Sequence, residues 1–324
     1  MQDWYGFTKL DAHNNAVPLF VMATEKSVPW KLTRVSRNVH KITWDFKSKE
    51  ECAWVLLRSD AHHDSKHCDR SMEKRHLELA VKRNAVVLDN GDLYDAMQGK
   101  FDRRASKDDL LPEYKNGDYL DSLVNEAVKF YSPYAKQFAI LGQGNHETAI
   151  LKHHETNLTD RLRIGLNRHL KDEGSNHRVY MGGYGGWVRL VGKSHGAQDG
   201  KWLHYFHGSG GGGPVTRGVI GTNREAVFHP DPSFCVSGHT HDQWIVPIAR
   251  DRIKDTGTLY QDTQYHIKIA GYKEEYGDGY GGWHIERGAP PKPLGAAWIK
   301  ISWMGSSHDK TKRGIYPEVF LSDR

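Results

Sequence analysis

Apolar runs that stop at polar clusters set the rhythm of this chain. Residues 53–57, 85–88, 138–141 and 234–236 are each continuously apolar. That is the pattern of strands buried on both faces. Between them the period changes from continuous to helical. In residues 69–84, Leu77, Ala80 and Val81 fall on one face of a helix. In residues 119–131, Leu120, Leu123, Val124, Ala127 and Val128 form a stripe. In residues 157–170, Leu158, Leu162, Leu166 and Leu170 recur every four positions, with Asn157 placed to cap and Asp160 in the first turn. Strand, helix and strand in that order read as a βαβ unit, and open α/β sheets place their sites at the carboxyl ends of the strands.

The flanking segments carry weaker patterns. Residues 18–23 and 39–44 read as short strands of a small hairpin packed on the main domain. Residues 182–187, Gly-Gly-Tyr-Gly-Gly-Trp, read as a tight turn before a strand at 188–191. Residues 203–206 read as a strand leading to His207. Residues 244–248, 265–270, 297–302 and 317–321 read as strands of a second sheet, and the Gly- and Tyr-rich stretch 277–283 as a loop. With no internal repeat and no long linker, the organisation expected is an N-terminal extension, residues 1–48, packed on one domain of residues 49–324. The 157–170 helix lies between motifs that the core must unite, so a cap over the site is expected at about residues 150–200.

The chemistry sits where the apolar runs stop. Asp60-Ala61-His62, Gly91-Asp92-Leu93-Tyr94-Asp95, Gly144-Asn145-His146-Glu147 and Gly238-His239-Thr240-His241 each follow one, and His207 stands alone between the last two. Together they offer carboxylates, a carboxamide and imidazoles. A mixed nitrogen and oxygen donor set suits Mn, Fe or Zn better than Mg or Ca. Asp92 is the natural centre, because one carboxylate can hold two ions. Taken singly, each residue has a bland reading: Asp92 and Asn145 as turn or cap residues, His62 and His207 as packed histidines. Only the ensemble points to a metal centre. His63, Asp64, His67, His153 and His154 flank the clusters and read as supporting or surface residues.

In this order the motifs D-x-H, G-D-x-x-D, G-N-H-E and G-H-x-H resemble the calcineurin-like metallophosphoesterases, over roughly residues 50–245. The overall spacing also resembles uncharacterised members frequent in phage and bacterial genomes. The resemblance implies a four-layer αββα sandwich with two mixed β-sheets and a binuclear metal site at one end. It implies that Asp60, His62 and His241 bind a first ion, that Asn145, His207 and His239 bind a second, and that Asp92 bridges them. It implies two divalent ions, manganese first and iron or zinc as alternatives, with a hydroxide between them for in-line attack on phosphorus. His146 would not bind metal. It would stabilise the phosphoryl group or protonate the leaving oxygen, with Asp95 pairing with it.

Three activities compete. Gly-Asp-Leu-Tyr-Asp resembles the second motif of DNA-repair exonucleases, which favours a phosphodiesterase or nuclease acting on nucleic acid or nucleotides. Gly-Asn-His-Glu is shared with the Ser/Thr phosphatase branch of phosphomonoesterases. That branch has arginines after the second and third motifs, where this chain has Ala96-Met97 and Thr148-Ala149. The third reading is a non-catalytic binding protein on the same fold. The diester reading is favoured.

Composition changes this picture little. The 324 residues carry a formal charge of +5, compatible with a polyanionic substrate. Between residues 98 and 117 the chain is polar, and Arg103 or Arg104 could reach a substrate phosphate. Residues 208–213, glycine except for Ser209, are either a flexible turn or a close approach to phosphate. They lack the ending of a Walker A loop. No apolar run approaches a membrane span and no signal peptide is apparent. Three cysteines, an odd number, argue against a disulfide framework, and a cytoplasmic location is expected.

Overall fold

A computed structural model describes residues 8–10, 16–18, 26–27, 29–96, 110–211, 219–277, 279–280, 283–286, 288–305 and 313–322. Arg103 and Arg104 lie outside them. Two mixed sheets of seven strands face one another. The first runs in the order β16 (Gly314–Ser322), β15 (Ala296–Met304), β6 (Glu51–Arg58), β7 (Val86–Asp89), β8 (Phe138–Gly142) and β9 (Tyr180–Gly183), with β3 (Lys26–Ser27) beside the start of β6. The second runs β13 (Trp244–Ile253), β14 (Leu259–Lys268), β12 (Phe234–Ser237), β11 (Ala197–Phe206), β10 (Gly185–Ser194), β5 (Val39–Asp45) and β4 (Trp30–Arg34). A separate pair, β1 (Thr8–Leu10) and β2 (Ala16–Pro18), is antiparallel.

Every residue of β6 is buried, and strand alternation explains why. Cys52, Trp54 and Leu56 face the helices, whereas Ala53, Val55 and Leu57 face the second sheet. The inner face of that sheet answers with Ile42, Trp44, Val188, Leu190, Leu203 and Phe234. Outside the first sheet lie α1 (Arg70–Lys82), α2 (Tyr119–Tyr131) and α4 (Leu158–Asp172). The four leucines of α4 are fully buried, each worth about 1.5–3 kcal/mol. The Asn157 side chain caps the helix by accepting from Asp160 N at 3.0 Å. A fifth helix, α5 (Val219–Phe228), lies against the outer face of the second sheet, with Glu225 near His204 and His266. The layers are therefore helix, sheet, sheet, helix. Among the described residues no helix is long and apolar enough to cross a membrane.

Three expectations differ from this arrangement. Residues 30–45 are not an extension: β4 and β5 are strands of the second sheet, β5 pairing in parallel with β10. Residues 150–200 do not stand off as a cap. They supply α4 and the strands β9 and β10, one in each sheet, because the leucine stripe of α4 packs into the core. The strands after His241 do not share one sheet. β13 and β14 extend the second, whereas β15 and β16 return to pair with β6 in the first.

Candidate metal centre

The loops after β6 and β7 are zipped together by their backbones before any side chain contributes. Asp60 N donates to Gly91 O, His62 N to Asp92 O and His63 N to Leu93 O, at 2.8–3.0 Å. Three buried carboxylates then fix the loops. Glu147 opens α3 (Asn145–His154) and accepts from the amides of Asp92 (3.1 Å), Tyr94 (3.0 Å) and Gly144 (2.8 Å). Asp64 accepts from the amides of Asp95 and Ala96, and Asp89 accepts from Gly91 N. Burial and the neighbouring Asp92 raise Glu147 to about 8.

Backbone conformation sets these residues apart. Asp60, His62, Asp92, His239 and His241 all have positive φ, between 46° and 71°. Non-glycine residues rarely adopt this region, and such outliers cluster at functional sites. Close approach does the rest. A Cβ on Gly144 would strike the carboxylate of Asp92, and one on Gly238 would strike Ser59 and Asp60. Gly144 thus lets two loops of the first sheet close up, and Gly238 lets a loop of the second sheet reach the first.

The side chains gather into overlapping groups. The ligand atoms of Asp60, His62 and His241 lie within 4.8 Å of one another, as do those of Asp92, His207 and His239. A third such group, His62, Asp92 and His146, shares His62 with the first and Asp92 with the second. Asn145 Oδ1 lies 2.8 Å from His239 Nδ1, a separation that fits two donors on one ion as well as a hydrogen bond. Every residue that the resemblance names as a ligand is thus in this cluster.

Outer partners fix the ring orientation of two of these imidazoles. His207 Nδ1–H donates to the carbonyl of Asn90 at 2.9 Å. In the neutral ring its Nε2 is then a bare lone pair, buried and 3.0 Å from Asp92 Oδ2. His62 Nδ1 donates to Asp95 Oδ1 at 2.8 Å, which turns its Nε2 toward His241 Nε2 at 3.3 Å. Lone pairs facing a carboxylate, or each other, repel unless a proton or metal ion lies between them. Histidine ligands characteristically donate their other ring nitrogen to a carboxylate or carbonyl, and His62 and His207 both do. With protons in place of metal, burial opposes the charge on His207 but Asp92 outweighs it, raising His207 to about 9. Burial, reinforced by His62, instead lowers His241 to about 4 and keeps it neutral. Asp92 itself is buried, yet His146, His207 and His62 hold it far below the usual carboxylate range.

His146 is differently placed. Its Nδ1–H donates to the backbone carbonyl of Asp95 at 2.5 Å, which leaves Nε2 facing the centre, 3.9 Å from Asp92 Oδ2. The Asp95 carboxylate stands at ion-pair distance from His146 without hydrogen-bonding it. Its Oδ1 bonds His62 at 2.8 Å and Lys273 at 3.0 Å, and stands 3.8 Å from His146 Nδ1, beyond hydrogen-bond range. The D-x-x-D spacing brings the carbonyl of Asp95, not its carboxylate, to His146. Against burial, His62 and Lys273 hold Asp95 well below its ordinary value.

Two groups here were not picked out in the sequence. Lys273 lies in a loop after the motifs, and nothing local marks it. Arg58 is the polar last residue of a buried strand, and that position could have flagged it. It is fully buried, bridging Glu73 (2.6 Å) and Asp89 (2.8 Å) beneath the loops. His63, read as a supporting residue, bonds Glu73 at 2.8 Å.

No protein-family model matches the chain, and no curated protein matches it. It is similar to the solved structure of a conserved uncharacterized protein, a predicted phosphoesterase, from Streptococcus pneumoniae TIGR4. The two are 10% identical, the match covers 83% of this chain and 98% of that one, and the TM-score is 0.28. The chemistry therefore rests on the residues themselves.

Proposed function

We propose that this chain is a metal-dependent phosphoester hydrolase that acts on phosphodiesters, with nucleotides or nucleic acid as the substrate class. The observation that supports it is the pair of groups Asp60–His62–His241 and Asp92–His207–His239, linked by a third, His62–Asp92–His146, that shares one residue with each. Asp60, His62 and His241 would hold one ion, Asn145, His207 and His239 a second, and Asp92 would touch both. A pair of divalent ions, manganese first among candidates, supplies Lewis acidity toward phosphoryl oxygens and a water nucleophile at neutral pH.

The chain's own groups do the rest. Asn145 coordinates without adding negative charge that would repel a phosphate. His146, with Nδ1 pinned by the Asp95 carbonyl, turns Nε2 toward the place where the phosphoryl group would sit. From there it can stabilise developing charge or deliver a proton to the leaving oxygen. Diesters are preferred on charge. A monoester dianion calls for extra cations, and Ala96-Met97 and Thr148-Ala149 stand where the monoesterase branch has arginine. Lys273 is already shared between Asp95 and Glu275.

The test is a matched pair, a bis-aryl and a mono-aryl phosphate, assayed after reconstitution with Mn²⁺. The diester should be hydrolysed faster. A strong preference for the monoester would overturn the diester assignment. Two bound ions with neither ester hydrolysed would turn the reading to a binding protein.

A further inference from the structure

We propose that Lys268, with the hydroxyl of Ser237 beside it, holds a second phosphate of the substrate, next along the molecule from the phosphorus at the metal centre. This rests on the hydrolase reading for what occupies the centre, and adds where the rest of that substrate is held. β11, β12 and β14 are parallel, so their carboxyl ends lie together. Register sets their last residues, Phe206, Ser237 and Lys268, in one row. The row borders the centre, because His207 follows Phe206 and Gly238-His239 follow Ser237. Tyr205, Val236 and Ile267, each one residue earlier, belong to the core between the sheets. Alternation therefore turns Phe206, Ser237 and Lys268 to the outer face of the second sheet.

Lys268 is buried without the anion that such burial calls for. It is 8% exposed. Its Nζ donates to Ser237 Oγ at 3.4 Å, which is long for such a bond. An ammonium has three donors, and among the described residues no carboxylate lies within ion-pair distance of this one. Other buried cations near the centre are matched. Arg58 bridges Glu73 and Asp89 at 2.6 and 2.8 Å, and Lys273 lies 3.0 Å from Asp95 and 2.8 Å from Glu275. Asp242, whose charge reaches Lys268, is itself held by Lys292 at 2.7 Å. Burying a charge without a partner is costly, and an anion of the substrate supplies the partner that the fold leaves out.

Electrostatics and direction together place that anion. Burial holds the ammonium below its ordinary pKa, and Asp60 is the charge that opposes this most. The charge of Lys268 also reaches His239. Asp60 belongs to one ligand group and His239 to the other, so Lys268 stands within electrostatic reach of both. Yet its row faces away from the space between the sheets where the ions would be held. Lys268 therefore does not meet the phosphoryl group under attack, and the preference for a diester at the centre is kept. It meets an anion that the same molecule carries over the rim of the second sheet. Ser237 and His239 are half-buried and Phe206 is 38% exposed, so the rim reaches solvent. The ligand class is a nucleotide with two phosphates, joined directly as a pyrophosphate or through the sugar as in a nucleic-acid chain.

The experiment is calorimetric titration of the full-length, Mn²⁺-loaded protein with thymidine 5′-monophosphate, thymidine 5′-diphosphate and thymidine 3′,5′-bisphosphate. At least one of the two-phosphate probes should bind wild type about 10–100-fold more tightly than the monophosphate, as one charge-assisted contact would give. Which probe does so separates a pyrophosphate substrate from a nucleic-acid one. Lys268→Met, similar in length and without charge, should bring the ratio close to one, and Lys268→Arg should restore part of it. Should Lys268→Met not fold, Lys268→Gln decides in its place. A lysine with a purely structural task would weaken all three probes alike and leave the ratio standing, which would overturn the proposal. Equal affinity of wild type for the three probes would overturn it too, as would a variant that loses metal and, once reloaded, still discriminates. Binding needs no turnover. Protein that shows the ratio and its loss in Lys268→Met, yet hydrolyses neither aryl ester, would lose the hydrolase reading and keep this subsite.

Discussion

The two sheets bring different chemistry to the space between them. The first supplies every carboxylate of the centre, Asp60 after β6 and Asp92 and Asp95 after β7, together with Asn145. The second supplies His207, His239 and His241 and no acid. Their anchoring differs as well. The first sheet's loops are tied to each other by backbone bonds and by Glu147, Asp64 and Asp89. The second sheet's loops are held largely by the first. His239 N donates to both oxygens of Asp60, and His207 bonds the carbonyl of Asn90. A rigid anionic wall thus faces a wall of imidazoles, and the natural occupant between them is a cation. This division lets single substitutions separate metal binding, chemistry and support.

The largest effect should come from Asp92, the carboxylate proposed to bridge the two ions. Asp92→Asn keeps the size of the side chain and removes the charge that His207, His146 and His62 surround. Metal analysis should show the wild-type centre approaching two ions per chain and the variant losing them, with hydrolysis reduced by at least about 10³-fold. A variant that keeps its centre fully loaded would mean that the two groups do not depend on a shared bridge.

His146 tests whether the anionic wall also carries the chemistry. His146→Ala should leave both ions bound and lower the rate by about 10²–10³-fold. The loss should be smaller with a nitrophenolate leaving group, which needs no proton, than with an alkoxide. If the variant loses an ion, Nε2 of His146 is a ligand, as its place beside His62 and Asp92 allows.

Much of this wall was legible in the sequence, because a buried parallel strand is a run of apolar residues and its loop residues follow at once. The order of strands and motifs, the span of α2 and the Asn157 cap all follow from local pattern. What lay outside local pattern was partnership across distance. β4, with Trp30, Leu32 and three polar residues, is an edge strand with half its surface in water, so its apolar signal is faint. The glycines before Trp187 resembled a turn, yet β10 begins at Gly185 because its neighbour β11 supplies the hydrogen bonds. Asp95 was paired with His146 by resemblance. Its real partners are 33 residues before and 178 residues after it in the chain.

Beneath the anionic wall, the buried Arg58–Glu73–His63 network can be probed by acid. Burial alone would raise Glu73, but His63, Arg58 and Tyr131 outweigh it and lower it to about 2 from an ordinary 4.5. A depressed carboxylate contributes stability above its unfolded value, and that contribution is lost as pH falls through the folded one. Stability should therefore decline between pH 4.5 and 2 by about 3 kcal/mol from this group. Denaturant melts across that window should show the slope in wild type and not in Glu73→Gln, which should also be less stable at pH 7. An equal slope in both would place the acid sensitivity elsewhere.

The smallest effect separates Asp95 from His146. Asp95→Asn leaves the backbone carbonyl in place, so the bond that orients His146 survives. What changes is the partner of His62. A carboxylate behind a ligating imidazole strengthens it as a donor, and an amide does so less. Loss of such an outer partner typically costs about 10–100-fold in metal affinity or activity. The variant should therefore need more metal to reach full activity. Its rate at saturating metal, and the position of its pH–rate profile, should remain close to wild type. Lys273, which bonds the same oxygen at 3.0 Å, would lose its anion as well. Lys273→Met should give a weaker form of the same shift in metal requirement. If Asp95→Asn instead moves the upper limb of the profile with metal affinity unchanged, the carboxylate acts on His146 across 3.8 Å, and the division between support and chemistry on this wall fails at that residue.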